Sequence, residues 1–189
     1  MNIEKNRREF LKLSGALCLG ALIAPHDLFA MQTSEIYPPA DTRSLNFYNV
    51  NTLESLDVTY FKNGIYSDEA HAKINELMID RRSGEITTME LGLIDTLHQI
   101  HTLSGSNEPL EIICGYRSPQ TNEKLRHQTS GVAKHSYHTL GQAADINIKD
   151  IPLEELHRIA ISLNAGGVGF YPHSGFIHVD IGPVRTWRG

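Results

Sequence analysis

The chain has 189 residues, with 17 Lys and Arg against 22 Asp and Glu, for a formal charge of −5. That balance excludes the basic face of a nucleic-acid-binding protein and a polybasic tether to anionic lipid. Two cysteines in the whole chain exclude a disulfide-stapled scaffold.

The N-terminus carries an address. Asn6-Arg7-Arg8-Glu9-Phe10-Leu11-Lys12 is close to the twin-arginine export signal, Arg-Arg-x-Phe-Leu-Lys. The apolar run over residues 13–24 is shorter than the about 20 residues of a membrane span and suits the core of a signal peptide. Pro25 and then Leu28-Phe29-Ala30 follow. Residues 1–30 are therefore read as a twin-arginine signal peptide cut after Ala30. The implied partner is the twin-arginine export machinery, and the implied location is the periplasmic or cell-wall compartment, with no stable membrane anchor after cleavage. Cys18 follows bulky Leu17, which argues against lipidation. Cleavage leaves 159 of the 189 residues, with 13 of the 17 basic and 19 of the 22 acidic side chains. That length suits one domain. Cys114 then stands alone within an apolar run, the setting of a small buried hydrophobe.

Residues 31–44, with Pro38 and Pro39, read as a flexible lead-in, and residues 45–189 as the folded domain. Strands are expected over 45–50 and 55–61, the second closed by the turn pair Asn63-Gly64. Ser67 before Asp68-Glu69-Ala70 starts a helix that runs to about Arg82, turns Ile74, Leu77 and Met78 to the core, and ends at Gly84. A second helix, 88–103, buries Leu93, Leu97 and Ile100 at helical spacing. A strand over 110–114 leads through Gly115-Tyr116-Arg117-Ser118 into a short helix, 119–127. Pro152 opens another helix, which ends near Asn164.

Two strands flank that last helix. Over 142–148, Ala143, Asp145 and Asn147 share one face; over 176–181, His178 and Asp180 share one while Ile177, Val179 and Ile181 point the other way. If these strands are neighbours, Asp145 and His178 project side by side, and His138 arrives from the loop before. Helices beside a mainly antiparallel sheet make the fold class α+β.

The chemistry lies in Ser136-Tyr137-His138-Thr139-Leu140-Gly141-Gln142-Ala143-Ala144-Asp145 and the later His178-Val179-Asp180. Two imidazoles and one carboxylate with a coordination position to spare form the pattern of a catalytic zinc site. The facial triad of non-haem iron oxygenases uses the same donors, but its His-x-Asp comes first, whereas His178-x-Asp180 comes last. His98, His101, His127, His135 and His157 have no ligand spacing.

These residues resemble the zinc D-Ala-D-Ala metallopeptidases, whose signature Ser-x-His-x-x-Gly-x-Ala-x-Asp, with a later His, is matched by Ser136, His138, Gly141, Ala143, Asp145 and His178. An upstream Arg in a strand-to-helix turn is matched by Arg117. The resemblance covers about residues 108–188. It implies a hedgehog-like fold and one Zn2+ per chain on His138, Asp145 and His178. It also implies that Arg117 stabilises an oxyanion or grips a carboxylate, and that peptidoglycan is the substrate. Relatives place a Glu or His base shortly before the last ligand. Here Gly175 and Phe176 stand there, so the nearest match is His173, with Asp180 as the alternative base or as the partner that orients a ligand imidazole. The expected activity is that of an exported murein peptidase of D,D-endopeptidase type. The alternatives are a D,D-carboxypeptidase and a zinc-bearing wall-binding module without catalysis.

Overall fold

The computed structural model describes residues 42–128 and 132–189. The signal-peptide reading and most of the lead-in lie outside the described residues. Within them, β1 (Thr42–Asn49), β2 (Glu54–Lys62) and β3 (Ile65–Tyr66) come first, followed by α1 (Asp68–Leu77), α2 (Leu91–Ser104) and β4 (Leu110–Cys114). Then come α3 (Pro119–Gln128), a 3-10 turn (Tyr137–Leu140), β5 (Ala143–Ile148) and α4 (Leu153–Ser162). β6 (Gly167–Tyr171), β7 (Phe176–Asp180) and β8 (Arg185–Arg188) complete the chain. No helix among the described residues is long and apolar enough to cross a membrane.

All the strands join one sheet in the order β3-β2-β1-β4-β5-β7-β6-β8. Pairing is parallel only at β1–β4 and β6–β8, so the expected α+β class with a mainly antiparallel sheet holds. Alternation sorts the two faces. Ala144, Ile146 and Ile148 of β5 and Ile177 and Val179 of β7 are buried in one apolar core with Leu93, Leu97 and Ile100 of α2 and Leu156 of α4. Asp145 and His178 therefore point to the opposite face.

Two elements differ from their expected extent. α1 ends at Leu77 rather than near Arg82, because Asp80 turns the chain: its carboxylate accepts from the Arg82 amide at 3.0 Å and the Ser83 hydroxyl at 3.1 Å. Such local side-chain bonds compete with the helical ladder. The same carboxylate accepts from the Ser118 amide at 2.9 Å, tying this turn to the one that carries Arg117. The first strand starts at Thr42, within the segment read as lead-in, and Arg43 has a structural task there.

Arg43 donates to Asp95 of α2 at 2.6 Å, and the hydroxyls of Tyr60 and Tyr66 donate to the same carboxylate at 2.9 and 2.6 Å. One acidic side chain thus pins β1, β2 and β3 to α2. Asp95→Ala would strand the Tyr60 hydroxyl, in a side chain only 1% exposed, without an acceptor. The expected cost is about 2–3 kcal/mol, read as a lower urea midpoint at unchanged slope; an unmoved midpoint would show that the network carries no stability.

Candidate metal centre

Each donor is set in place by backbone. Asp145 and His178 face each other directly in the β5–β7 register, which puts His178 Nδ1 at 2.9 Å from Asp145 Oδ1. His138 comes from the 3-10 turn, which ends in Gly141 at φ +68°. That backbone favours glycine, and a Cβ there would lie 2.4 Å from the Thr88 carbonyl oxygen. His138 Nε2 stands 3.1 Å from His178 Nδ1 and 3.2 Å from Asp145 Oδ1. The three atoms surround one point.

The outer nitrogens decide what that point can hold. His138 Nδ1 lies 2.7 Å from the Gly115 carbonyl oxygen, which only accepts, so Nδ1 keeps its proton and Nε2 is the inward nitrogen whose lone pair is freed when the second proton leaves. His178 Nε2 lies 3.0 Å from Asp180 Oδ2, so its Nδ1 likewise faces inward with a lone pair. Second partners that set the tautomer in this way are typical of metal-binding histidines. Once the inner proton of His138 is released, two imidazole lone pairs and a carboxylate oxygen converge on one point, and only a cation between them relieves the repulsion. Metal bonds of about 2.0–2.1 Å place tetrahedral donors roughly 3.4 Å apart, so the observed spacing needs only a slight expansion. The donor set fits a metal ion.

Electrostatics agree. Burial works to raise the Asp145 pKa, but the His138 and His178 imidazoles override it and hold the carboxylate well below its usual range. Burial pulls the His138 pKa down, yet Asp145 and Cys114 push it well above the ordinary histidine value. A site that holds positive charge this firmly suits a divalent cation, whose binding would release that proton. Access comes from the His178 side, whose side chain is 12% exposed against 3% for His138.

Asp180 is fully buried. Besides His178 it accepts from both terminal guanidinium nitrogens of Arg185, at 3.0 and 2.7 Å, and from the amides of Gly167 and Gly182, at 3.2 and 2.9 Å. Burial favours its neutral form, but His178, Arg185 and the Gly182 amide hold it ionised. With both oxygens engaged and bonded to the far nitrogen of His178, it orients that ring. The structure does not bring His173 to the cluster: it sits in the exposed turn between β6 and β7.

Arg117 reaches the site from the turn after β4. The Tyr116 amide donates to Met78 O at 2.8 Å and the Arg117 amide to His138 O at 3.2 Å. Gly115 permits this close approach, since a Cβ there would meet Met78 Cβ at 2.6 Å. The guanidinium makes only long contacts, Nη1 to Asn122 Oδ1 at 3.4 Å and Nη2 to Cys114 Sγ at 3.5 Å, while its buried Nε has no partner. No carboxylate among the described residues claims this cation. A polar cleft lined by Asn49, Asn51, Arg81, Arg82 and Tyr116 opens beside it.

Sequence reasoning missed Arg185, Trp187 and the position of Cys114. Arg185 lies 4.9 Å from the Trp187 ring centre and 5.2 Å from that of Tyr137, and Trp187 lies 5.2 Å from the His178 ring. The Trp187 indole N–H donates to Tyr171 Oη at 2.8 Å. Together they wall the open side of His178.

An α+β sheet that presents His138 and Asp145 from a Ser-x-His-x-x-Gly-x-Ala-x-Asp segment, with His178 from the neighbouring strand, defines a metallopeptidase of the D-Ala-D-Ala type. The family model described as peptidoglycan L,D-endopeptidase MepK, within the M15 peptidases, matches residues 37–187, and the chain belongs to this family. Peptidoglycan L,D-endopeptidase MepK of Escherichia coli strain K12 is 41% identical over 184 residues, covering 97% of this chain and 98% of the relative. The relative of the same name in Shigella flexneri gives the same figures. A relative from Haemophilus influenzae is 41% identical over 188 residues, covering 99% of this chain and 98% of its own. No solved structure matches the chain.

Asp180→Asn keeps the shape but replaces a full acceptor with an amide beside Arg185. Metal affinity should fall about 10–100-fold, measured by competition with a chromogenic chelator. An unchanged affinity would show that Asp180 serves only the fold.

Proposed function

We propose that this chain is an exported, zinc-dependent murein endopeptidase that hydrolyses peptidoglycan cross-links. The observation that supports it most directly is the pair of imidazoles whose outer N–H groups are both committed, to Gly115 O and to Asp180, so that their free lone pairs meet Asp145. Zinc suits mixed imidazole and carboxylate donors. The relatives are named for an L,D bond, so the bond proposed joins an L- to a D-configured centre rather than the D,D bond that the signature alone suggests.

The roles follow from what each residue touches. His138, Asp145 and His178 would hold the ion, and Asp180, braced by Arg185, keeps the His178 ring turned toward it. Bound zinc supplies Lewis acidity toward the scissile carbonyl and a water that is nucleophilic near neutral pH. Arg117, always charged and free of acidic partners among the described residues, would offer its fork to the oxygen on which negative charge develops. The cleft with Arg81 and Arg82 gives an acidic stem peptide a complementary floor, in a protein that is otherwise net negative.

Digestion of purified peptidoglycan by residues 31–189, with zinc or with a chelator, tests this reading by chromatography of the muropeptides. Zinc-dependent opening of L,D cross-links supports it. Opening of D,D cross-links alone would make the enzyme a D,D-endopeptidase, loss of terminal D-Ala alone a carboxypeptidase, and no change with zinc bound a wall-binding module. Arg117→Ala should lower kcat by about 10²–10³-fold while zinc content stays at the wild-type level; undiminished turnover would remove Arg117 from the chemistry.

Export is proposed on Arg7 and Arg8 followed by the short apolar run. Replacing both arginines with lysine should leave the full-length precursor in the cytoplasmic fraction, as read by immunoblot. Normal processing of that variant would point to the general secretory route.

A further inference from the structure

Cys114 is the last residue of β4 and stands opposite Asp145 in the sheet register, just after a bulge between Ile112 and Cys114. Its Sγ, a ring nitrogen of His138 and a carboxylate oxygen of Asp145 all lie within 4.8 Å of one another. Both neighbours are more than nine-tenths buried, and each turns a donor atom toward the same point. A soft donor thus shares the inner surface of the centre with two of its three proposed ligands. A fixed positive charge stands beside it: Arg117 Nη2 lies 3.5 Å from the sulfur.

We propose that Cys114 is a fourth metal donor, competing as a thiolate with water for the coordination position that His138, Asp145 and His178 leave open. The inference rests on the metal-centre reading above and adds a closed state to it. Closed sites with four protein ligands, cysteine among them, are the structural type, whereas catalysis needs the position open. When the metal–sulfur bond forms, the thiol proton passes to solvent and one coordinated water leaves; when it breaks, water returns and the sulfur regains a proton. Zinc–sulfur bonds of about 2.3 Å need sulfur and nitrogen donors roughly 3.6 Å apart, so the thiol has to swing inward. The bulge and the strand end supply that freedom. Sulfur drawn to the metal also leaves Arg117 Nη2, so the closed state loosens the guanidinium as it excludes water.

Cobalt(II) reads the sulfur directly, because thiolate coordination adds an intense near-ultraviolet charge-transfer band that nitrogen and oxygen donors do not give. The full chain carrying Cys18→Ser, so that Cys114 is its only thiol, would be titrated with cobalt(II). The expected result is visible ligand-field bands together with the charge-transfer band at one equivalent. In the Cys18→Ser, Cys114→Ser double variant the charge-transfer band should vanish while one equivalent still binds. Ligand-field bands without charge transfer in the thiol-bearing protein would overturn the role of Cys114 and leave the three-donor centre standing. No cobalt uptake by either protein would overturn both. The spectrum of the thiol-bearing protein decides the matter even if the double variant fails to fold.

Discussion

The register of β5 against β7 is the constraint on which the rest of the site depends. Ala144 opposite Val179 and Ile146 opposite Ile177 bury their side chains beneath α2 and α4. Because the side-chain period of a strand is two, that burial also fixes which residues emerge on the other face. A slip of one residue would send Asp145 into the apolar layer and leave His178 facing Ala144 or Ile146. The hydrophobic core therefore sets the distance between two donors without touching either.

The third donor needs a different device. His138 lies outside the sheet, and what holds it is backbone: the Gly115 carbonyl on its outer nitrogen and the Arg117 amide on its own carbonyl oxygen. Both come from one turn after β4. That turn is in turn held by Asp80 through the Ser118 amide and by Met78 O through the Tyr116 amide. The early end of α1 is thus part of the site's construction. Had the helix continued to Arg82, the Asp80 carboxylate would not have been free to serve that turn.

Legibility followed the range of the interactions. The faces of the two central strands could be read from alternation, because Ile146, Ile148, Ile177 and Val179 declare the buried side and so place Asp145 and His178 opposite it. His138 was readable from the signature segment, and Leu110–Cys114 from a mostly apolar run broken only by Glu111. β8 was not: Arg185 and Trp187 show no period, and their meaning comes from Asp180 and His178, which only the sheet brings near. Cys114 looked like core for the same reason, since its neighbours His138 and Asp145 are distant in sequence. His173 was singled out by its distance from His178 along the chain, yet the β6–β7 turn carries it into solvent.

Charge divides the site into two unequal halves. Asp180 is matched by Arg185 and by the imidazole of His178, and that half is closed. Asp145 has no Lys or Arg partner among the described residues; its counter-charge is the proton it holds on His138. Arg117 is the mirror image, a guanidinium near the same point that no carboxylate among the described residues answers. Placing two such charges close together without pairing them forgoes stability that a direct ion pair would bring. On the proposed reading, a divalent cation on the Asp145 side and an electron-rich carbonyl on the Arg117 side would answer both at once. The unpaired charges are what distinguish this corner of the sheet from the Arg43–Asp95 network at its far end, where Arg43, Tyr60 and Tyr66 all donate to one carboxylate.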